Sequence, residues 1–256
     1  MPIITLTTDF GTSDGYVGAM KGVIARTAQK LGHGRPIEVS VIDLANDVPR
    51  GDIAHAAWVV ATATREFPED TVHVVVVDPG VGGGRQPVIV KAGTQWYVGP
   101  DNGVFAYVAG AADPAWVIEG YDDASPTFHG RDVFAPAATT LVMASYRPSG
   151  TPTKLVGALP WGVRPEGEGR VVHIDRYGNL VTDLPGAQGG AAVTIAGRRL
   201  SVLRTYEDAP KSELLAYVGS AGTIEIAVRD GRADRVLQAE RGMRVVPAAP
   251  LQSEYR

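Results

Sequence analysis

The sequence predicts an α/β fold: an N-terminal Rossmann-like α/β/α domain with a mostly parallel sheet, followed by a small antiparallel β domain, a barrel or a sandwich. Three observations predict it. Apolar spacing over residues 2–77 switches strand, helix, strand, helix, strand, which is the signature of right-handed crossovers. Residues 160–169 concentrate Pro, Gly and charge. Beyond them the helical period fades into short β-like runs separated by Gly, Asp and Pro. The expected boundaries are 1–160 for the α/β domain, 161–169 for a linker and 170–256 for the β domain.

Residues 2–8 alternate and are β-rich, so they form the first strand. A Gly-containing loop from Asp9 to Gly15 follows. Tyr16, Val17, Met20, Val23, Ile24, Thr27, Ala28 and Leu31 then fall on one helical stripe, which Gly32 and Gly34 end. Residues 37–44 read as a second strand. Residues 49–52 open a second helix, whose face carries Ile53, Ala57, Trp58 and Ala61 and which Pro68 closes. Residues 71–77 form a third strand. Its four consecutive valines, Val74 to Val77, need cover on both faces. Shorter strands are expected at 87–91, 95–98 and 116–119, with Asn102 capping a short helix through Tyr107. Another helix carries Val133, Phe134, Ala137, Leu141 and Val142. The β-like runs of the second half are 170–174, 180–184, 191–195, 198–203, 214–218, 223–228 and 243–246, with a brief helix at 233–238.

At 256 residues the chain can bury a sizeable core. A formal net charge of -4 gives no reason to expect a nucleic-acid or anionic-membrane partner. Cysteine is absent, which excludes disulfides, thiol chemistry and Cys-based metal sites. No basic segment followed by an apolar one opens the chain, and no stretch approaches the roughly 20 apolar residues of a membrane helix. The expectation is a cytoplasmic protein. No Gly-x-Gly-x-x-Gly, phosphate loop, Gly-x-Ser-x-Gly elbow or histidine pair at metal spacing occurs.

Polar groups collect after the strands, where open α/β sheets bind ligands. The third strand runs into Asp78-Pro79-Gly80-Val81-Gly82-Gly83-Gly84-Arg85, an acid, a glycine loop and a guanidinium. An ordinary turn with a surface Asp–Arg pair would also account for it. Asp9 directly follows the first strand, where a carboxylate can accept both hydrogens of a ribose cis-diol. Asp14 is placed either to face a ligand or to cap the first helix. Asp43 and Asp52 read as ordinary loop and helix-start carboxylates. His129 sits in Phe128-His129-Gly130-Arg131-Asp132 at the mouth of a helix, whereas His33, His55, His73 and His173 occupy surface or strand-face positions. Asp175-Arg176-Tyr177-Gly178-Asn179 is a hairpin signal that also offers an aromatic and an amide to a base. Chemistry alone therefore indicates a small polar ligand among Asp9, Asp78, Arg85 and His129.

Six motifs in order, covering residues 3–246, are more specific. They are Thr8-Asp9-Phe10-Gly11 with Asp14, Asp78-Pro79-Gly80-Val81-Gly82 with Arg85, Gly99-Pro100-Asp101-Asn102-Gly103, Phe128-His129-Gly130-Arg131-Asp132, Asp175-Arg176-Tyr177-Gly178-Asn179, and Ser220-Ala221-Gly222 with Glu225-Ile226-Ala227. Together they resemble the S-adenosyl-L-methionine hydroxide adenosyltransferases, hydrolase relatives of the fluorinase and chlorinase enzymes. The resemblance implies hydrolysis of S-adenosyl-L-methionine to adenosine and L-methionine, with no metal or cofactor. It implies that the second domain is a β-barrel, and a homotrimer with each active site between one subunit's N-terminal domain and a neighbour's C-terminal domain.

By the same resemblance Asp78, Arg85 and His129 form the triad that marks the hydrolase branch and is missing from the halide-using one. Asp9 becomes the ribose-diol acceptor, Asp14 and Asp175 partners of the methionine ammonium, and Ser220 a partner of its carboxylate. Tyr177 and Tyr206 become adenine stackers, Asn179 an adenine hydrogen-bonder and Phe128 a wall beside the ribose. Three positions depart from the halide-using pattern: Gly130 and Tyr16 stand where serines occur, and Ala221 where an arginine does. The competing expectations are a non-catalytic adenosine or S-adenosylmethionine binder, a halide adenosyltransferase and, more distantly, a metal-dependent hydrolase using Asp9, Asp14 and Asp78.

Overall fold

The structure is a computed structural model, and residues 1–33, 38–162 and 164–248 are described. Gly34, the start of the second strand at 37, Val163 and residues 249–256 lie outside the described residues. The chain divides into two compact units, Met1–Leu159 and Pro160–Arg256.

The first unit holds β1 (Ile3–Thr8), α1 (Tyr16–Leu31), β2 (Ser40–Ala45), α2 (Ile53–Ala63), β3 (Val72–Val76), β4 (Pro87–Ala92), β5 (Gln95–Pro100), β6 (Ala115–Val117), α3 (Ala135–Met143) and β7 (Pro152–Thr153). Its sheet has the order β2-β1-β3-β5-β4-β6-β7. Strands β2, β1, β3 and β5 pair in parallel, and β4, β6 and β7 add antiparallel partners. Five of the seven strands thus point one way, with β4 and β7 reversed.

The alternation of β3 explains its valines. Val72, Val74 and Val76 enter one core cluster with Val17, Met20 and Ile24 of α1 and Ala138 and Leu141 of α3. Val75 and Val77 enter a second cluster with Ala56 and Val60 of α2. Strand side chains point to opposite faces in turn, so only a strand covered on both sides uses a continuous apolar run. Each such valine, taken from exposure to full burial, contributes about 1.5–3 kcal/mol.

Helix α1 buries Val17, Met20, Val23, Ile24 and Ala28. Tyr16 and Leu31, expected on the same stripe, are exposed. Its N-cap is Gly15, in left-handed backbone with no side-chain cap bond. The capping role considered for Asp14 is therefore not realised, and Asp14 stays exposed. Asp52 does cap α2, accepting from the His55 backbone N–H at 3.0 Å. Asp43 forms an exposed ion pair with Lys21. The helix expected at 102–107 is instead a series of tight turns, with Ala106 N–H on the Gly103 carbonyl and Val108 N–H on that of Phe105. Asn102 diverts its own side chain: Oδ1 accepts from Val104 N–H and Nδ2 donates to the Val77 carbonyl. The Oδ1 bond is the one a capping asparagine makes, but only tight turns follow it.

His73 is the strand-face case: it lies on β3, turned to the α2 side and fully buried. Its Nδ1 lies 2.8 Å from the Thr5 hydroxyl and its ring packs on Phe67 and Tyr97. Burial depresses its pKa from 6.5 to about 4. The folded protein therefore binds this proton only near pH 4, while the unfolded chain binds it near 6.5. Stability should be intact above that upper value and fall by roughly 3 kcal/mol on acidification to the lower one. Thermal unfolding of the wild type and of His73→Leu across this window checks it; an identical pH slope in both would contradict the assignment.

The second unit holds β8 (Gly169–Ile174), β9 (Leu180–Pro185), α4 (Gly186–Gly189), β10 (Ala192–Ile195), β11 (Arg198–Leu203), β12 (Leu214–Val218), β13 (Thr223–Val228), α5 (Ala233–Leu237) and β14 (Arg244–Ala248). Its strands close a barrel in the order β10-β11-β12-β13-β9-β8-β14. Every ladder is antiparallel except β11–β12. Val171, Leu180, Val193, Ile195, Ile224, Ile226 and Val245 fill the interior. Full closure removes the unpaired edges an open sheet of this size would expose.

Candidate active site

Asp78 leaves the end of β3 two residues past its last paired position, and Asn102 holds the Val77 carbonyl beside it. The glycine loop then turns the chain so that Arg85 faces back. Arg85 Nε donates to both Asp78 oxygens, at 3.1 and 2.9 Å, and Arg85 Nη2 also reaches Oδ2. The pair is buried, with side chains 4% and 9% exposed for Asp78 and Arg85. Arg85 Nη2 lies 2.8 Å from His129 Nδ1. The bland surface-pair reading of this stretch therefore does not hold.

That last contact determines a proton. A guanidinium only donates, so His129 Nδ1 must accept, and the remaining ring proton sits on Nε2. Burial first, and then the Arg85 charge, lower the His129 pKa, against smaller opposing effects of Asp78 and Asp132. His129 is thus a neutral Nε2–H donor at neutral pH. It occupies the N-cap of a π-helical turn, Gly130–Phe134, which leads directly into α3. The helix thus begins earlier than the periodicity indicated, and π turns recur at functional sites. The Tyr121 ring packs edge-on against the His129 ring at 5.7 Å.

The loop glycines have a packing reason. Gly82 has φ +74°, and a Cβ there would stand 2.5 Å from the Pro126 carbonyl oxygen. The loop thus lies directly on the segment that leads to His129. Gly82→Ala is expected to push the two loops apart and lower turnover by on the order of 10–10²-fold, because small misplacements of reacting groups are costly. Gly84, whose Cβ would meet nothing within 4 Å, is the control. Equal activity of Gly82→Ala and Gly84→Ala would refute this role.

Around the triad, Asp9 Oδ2 accepts from Gly51 N–H at 2.8 Å, which leaves acceptor capacity on its other oxygen. Phe10, Tyr16 and Phe128 form a mutual aromatic cluster with ring centroids 5.3–5.8 Å apart. Arg131 stacks over the Phe128 ring at 4.8 Å. A Cβ on Gly130 would stand 3.2 Å from both Met20 Sδ and Phe10 Cε2, so the chain is tightly enclosed there.

In the second unit Asp175 organises its own loop. Its Oδ1 accepts from Tyr177 N–H and Asn179 N–H, and its Oδ2 from Asn179 Nδ2 at 2.9 Å. Asn179 is buried, and its Oδ1 receives the Tyr206 hydroxyl at 3.3 Å. Tyr177 is 67% exposed and Ser220 is exposed on the turn before β13. The structure therefore joins Asp78, Arg85 and His129 in one hydrogen-bonded chain, and Asp175, Asn179 and Tyr206 in another. Sequence reasoning missed Asn102, Tyr121, Tyr217 and Glu225. Two of these lay inside quoted motifs, Glu225 without a role and Asn102 only as a helix cap. Among the described residues no group of three or more His, Asp or Glu side chains could hold a metal ion.

Comparison with known proteins follows the same division of the chain. Residues 4–149 match the family model of the SAM hydroxide adenosyltransferase N-terminal domain, and residues 169–246 that of its C-terminal domain. An (R)-S-adenosyl-L-methionine hydrolase of Thermus thermophilus is 38% identical, with 93% of this chain and 96% of the relative covered. Another of the same name, from Salinispora arenicola, is also 38% identical, over 94% and 95%. The crystal structure of a conserved hypothetical protein from Thermus thermophilus superposes with a TM-score of 0.80 at 36% identity, covering 96% of this chain and 99% of that one. With both of its compact units matched in order, the chain belongs to the SAM hydroxide adenosyltransferase family.

Proposed function

We propose that the protein hydrolyses S-adenosyl-L-methionine to adenosine and L-methionine; its relatives carry the name (R)-S-adenosyl-L-methionine hydrolase. The observation that carries this reading is the Arg85 guanidinium held between buried Asp78 and His129 Nδ1. In the proposed reaction a water-derived oxygen attacks C5′. The C5′–O bond forms, the C5′–S bond breaks, its electron pair stays on sulfur, and the water proton passes to solvent. The leaving group is a neutral thioether, so sulfur needs no general acid. Water and substrate balance the reaction, and no cofactor enters the proposal.

Catalysis then consists of holding the oxygen in line with C5′ and favouring its deprotonated form. Oriented attack can supply roughly 7–11 kcal/mol of the barrier. His129 Nε2–H donates a hydrogen bond to the nucleophile, the Arg85 charge favours hydroxide over water, and Asp78 fixes Arg85. Asp9 takes the ribose diol, with Phe128 beside it. Tyr177, Tyr206 and Asn179 take the adenine, and Asp14, Asp175 and Ser220 the methionine end. The residues proposed for the substrate are drawn from both compact units, and the proposal includes a homotrimer in which neighbouring subunits complete each site.

The test is incubation with S-adenosyl-L-methionine, with and without chloride, resolving adenosine from 5′-chloro-5′-deoxyadenosine. Adenosine and methionine in equal amounts are expected in both. Chlorinated product would move the protein to the halide-using branch; tight binding without turnover would make it a binding protein. Light scattering of the purified chain checks the trimer.

A further inference from the structure

Outside the triad, a chain of contacts in the second unit leads to a cross-strand pair with no assigned role. Tyr217 on β12 stands opposite Glu225 on β13. Their neighbours Ala216, Ile224 and Ile226 point into the barrel, so Tyr217 and Glu225 share its outer face. The Tyr217 hydroxyl donates to Glu225 Oε2 at 2.7 Å. The Tyr217 ring meets the Tyr206 ring edge-on, with centroids 5.9 Å apart and planes at 72°. Both tyrosines rest on a small apolar cluster of Ala209, Leu215 and Ala227. Tyr206 in turn gives its hydroxyl to the Val228 carbonyl at 3.0 Å and to Asn179 Oδ1 at 3.3 Å. Asn179 Nδ2 reaches Asp175.

We propose that Tyr217 and Glu225 are positioning residues that lock Tyr206 and Asn179 in the orientation that receives the adenine. The inference rests on the assignment of Tyr206 and Asn179 to the nucleoside. A ring that stacks on a base is useful only if it does not rotate away, and Tyr206 sits in a short 3₁₀ turn, Tyr206–Asp208, a weak support by itself. Tyr217 supplies the missing wall. Glu225 in turn fixes Tyr217 with a charge-assisted bond, which is shorter and stronger than a neutral one. Burial and the nearby Asp175 charge raise the Glu225 pKa, in keeping with a carboxylate kept where a surface residue would not be. A half-buried carboxylate here fits an orienting role better than a stabilising one, since an apolar pair would cover the same cluster without partly desolvating a charge.

The experiment measures adenosine binding by calorimetry together with KM and kcat for S-adenosyl-L-methionine, on the full chain. Tyr217→Leu removes the wall and should raise the adenosine Kd and the KM roughly threefold to tenfold, the range of an aromatic pair. The kcat should stay within about twofold, because the triad is untouched. Glu225→Ala should shift the same quantities in the same direction. Glu225→Gln, which keeps an acceptor for the Tyr217 hydroxyl, should restore them. Thermal unfolding of each variant separates loss of fold from loss of orientation. Unchanged adenosine affinity in folded Tyr217→Leu overturns the inference. So does a parallel fall of kcat, affinity and Tm that Glu225→Gln fails to restore. A wild-type protein that neither binds adenosine nor cleaves the substrate would overturn the proposed function itself, a result distinct from both.

Discussion

Replacing Arg85 by alanine is expected to lower turnover of S-adenosyl-L-methionine by roughly 10²–10³-fold, the loss typical of one preorganised charged or hydrogen-bonding group at the reacting centre. It should also cost about 3–5 kcal/mol of stability, because Asp78 would be left buried without its partner. The two effects have different origins, and a second substitution separates them. Adding Asp78→Asn removes the uncompensated charge, so the double variant should regain part of its unfolding free energy while turnover stays low. Chemical denaturation and single-turnover kinetics on the same preparations give both numbers. Substrate affinity should change little, since Arg85 faces Asp78 and His129 in the first unit. Wild-type turnover in Arg85→Ala would remove the triad from the mechanism.

The second large effect concerns His129. Its Nδ1 is occupied by a donor, so its free nitrogen carries a hydrogen and gives a bond rather than taking a proton. His129→Ala should lose roughly 10²–10³-fold in kcat. Glutamine places an amide N–H near the Nε2 position, so His129→Gln should keep most of what alanine loses. A general base would not be replaced by an amide, and equal activity of the two variants would establish the base role instead. The pH profile adds a check. Burial and Arg85 lower the His129 pKa from 6.5, so the neutral ring persists below that value. Activity should therefore hold through neutral pH and fall on the acid side at an apparent pKa below 6.5, and this acid limb should vanish in His129→Gln. Protonating Nδ1 would set it against the Arg85 N–H, which is why the acid form is expected to be inactive.

Much of this site was legible in the chain itself. Val74 to Val77 announced a strand covered on both faces, and Asp78 followed it directly. The motif order announced the family. Period-based reasoning worked where one period ran long enough, as in α1 and β3. It failed at 102–107, where tight turns replace the helix, and it set the start of the helix carrying Val133 and Phe134 too late, because a π turn already begins at Gly130. Both are cases of local hydrogen bonds overriding apolar spacing. His73 takes the strand-face alternative, and its neutral imidazole, paired with Thr5, behaves as a core residue.

By itself the sequence determined the two-domain α/β and barrel organisation, the family, and which residue types are available for chemistry. Those follow from periodicity and from motif order, which are properties of a line. Only the tertiary structure decided that Arg85 reaches both Asp78 and His129, which His129 nitrogen keeps its proton, that Gly15 rather than Asp14 caps the first helix, and that Tyr217 and Glu225 stand behind Tyr206. Apart from the Gly15 cap, which is a matter of local backbone conformation, these depend on distances between residues separated in the chain, and such distances are set only once β3, α3 and the barrel strands have packed. The same applies to the glycine loop after β3. Its composition signalled a close approach, and the fold shows that what it approaches is the Pro126 carbonyl on the way to His129.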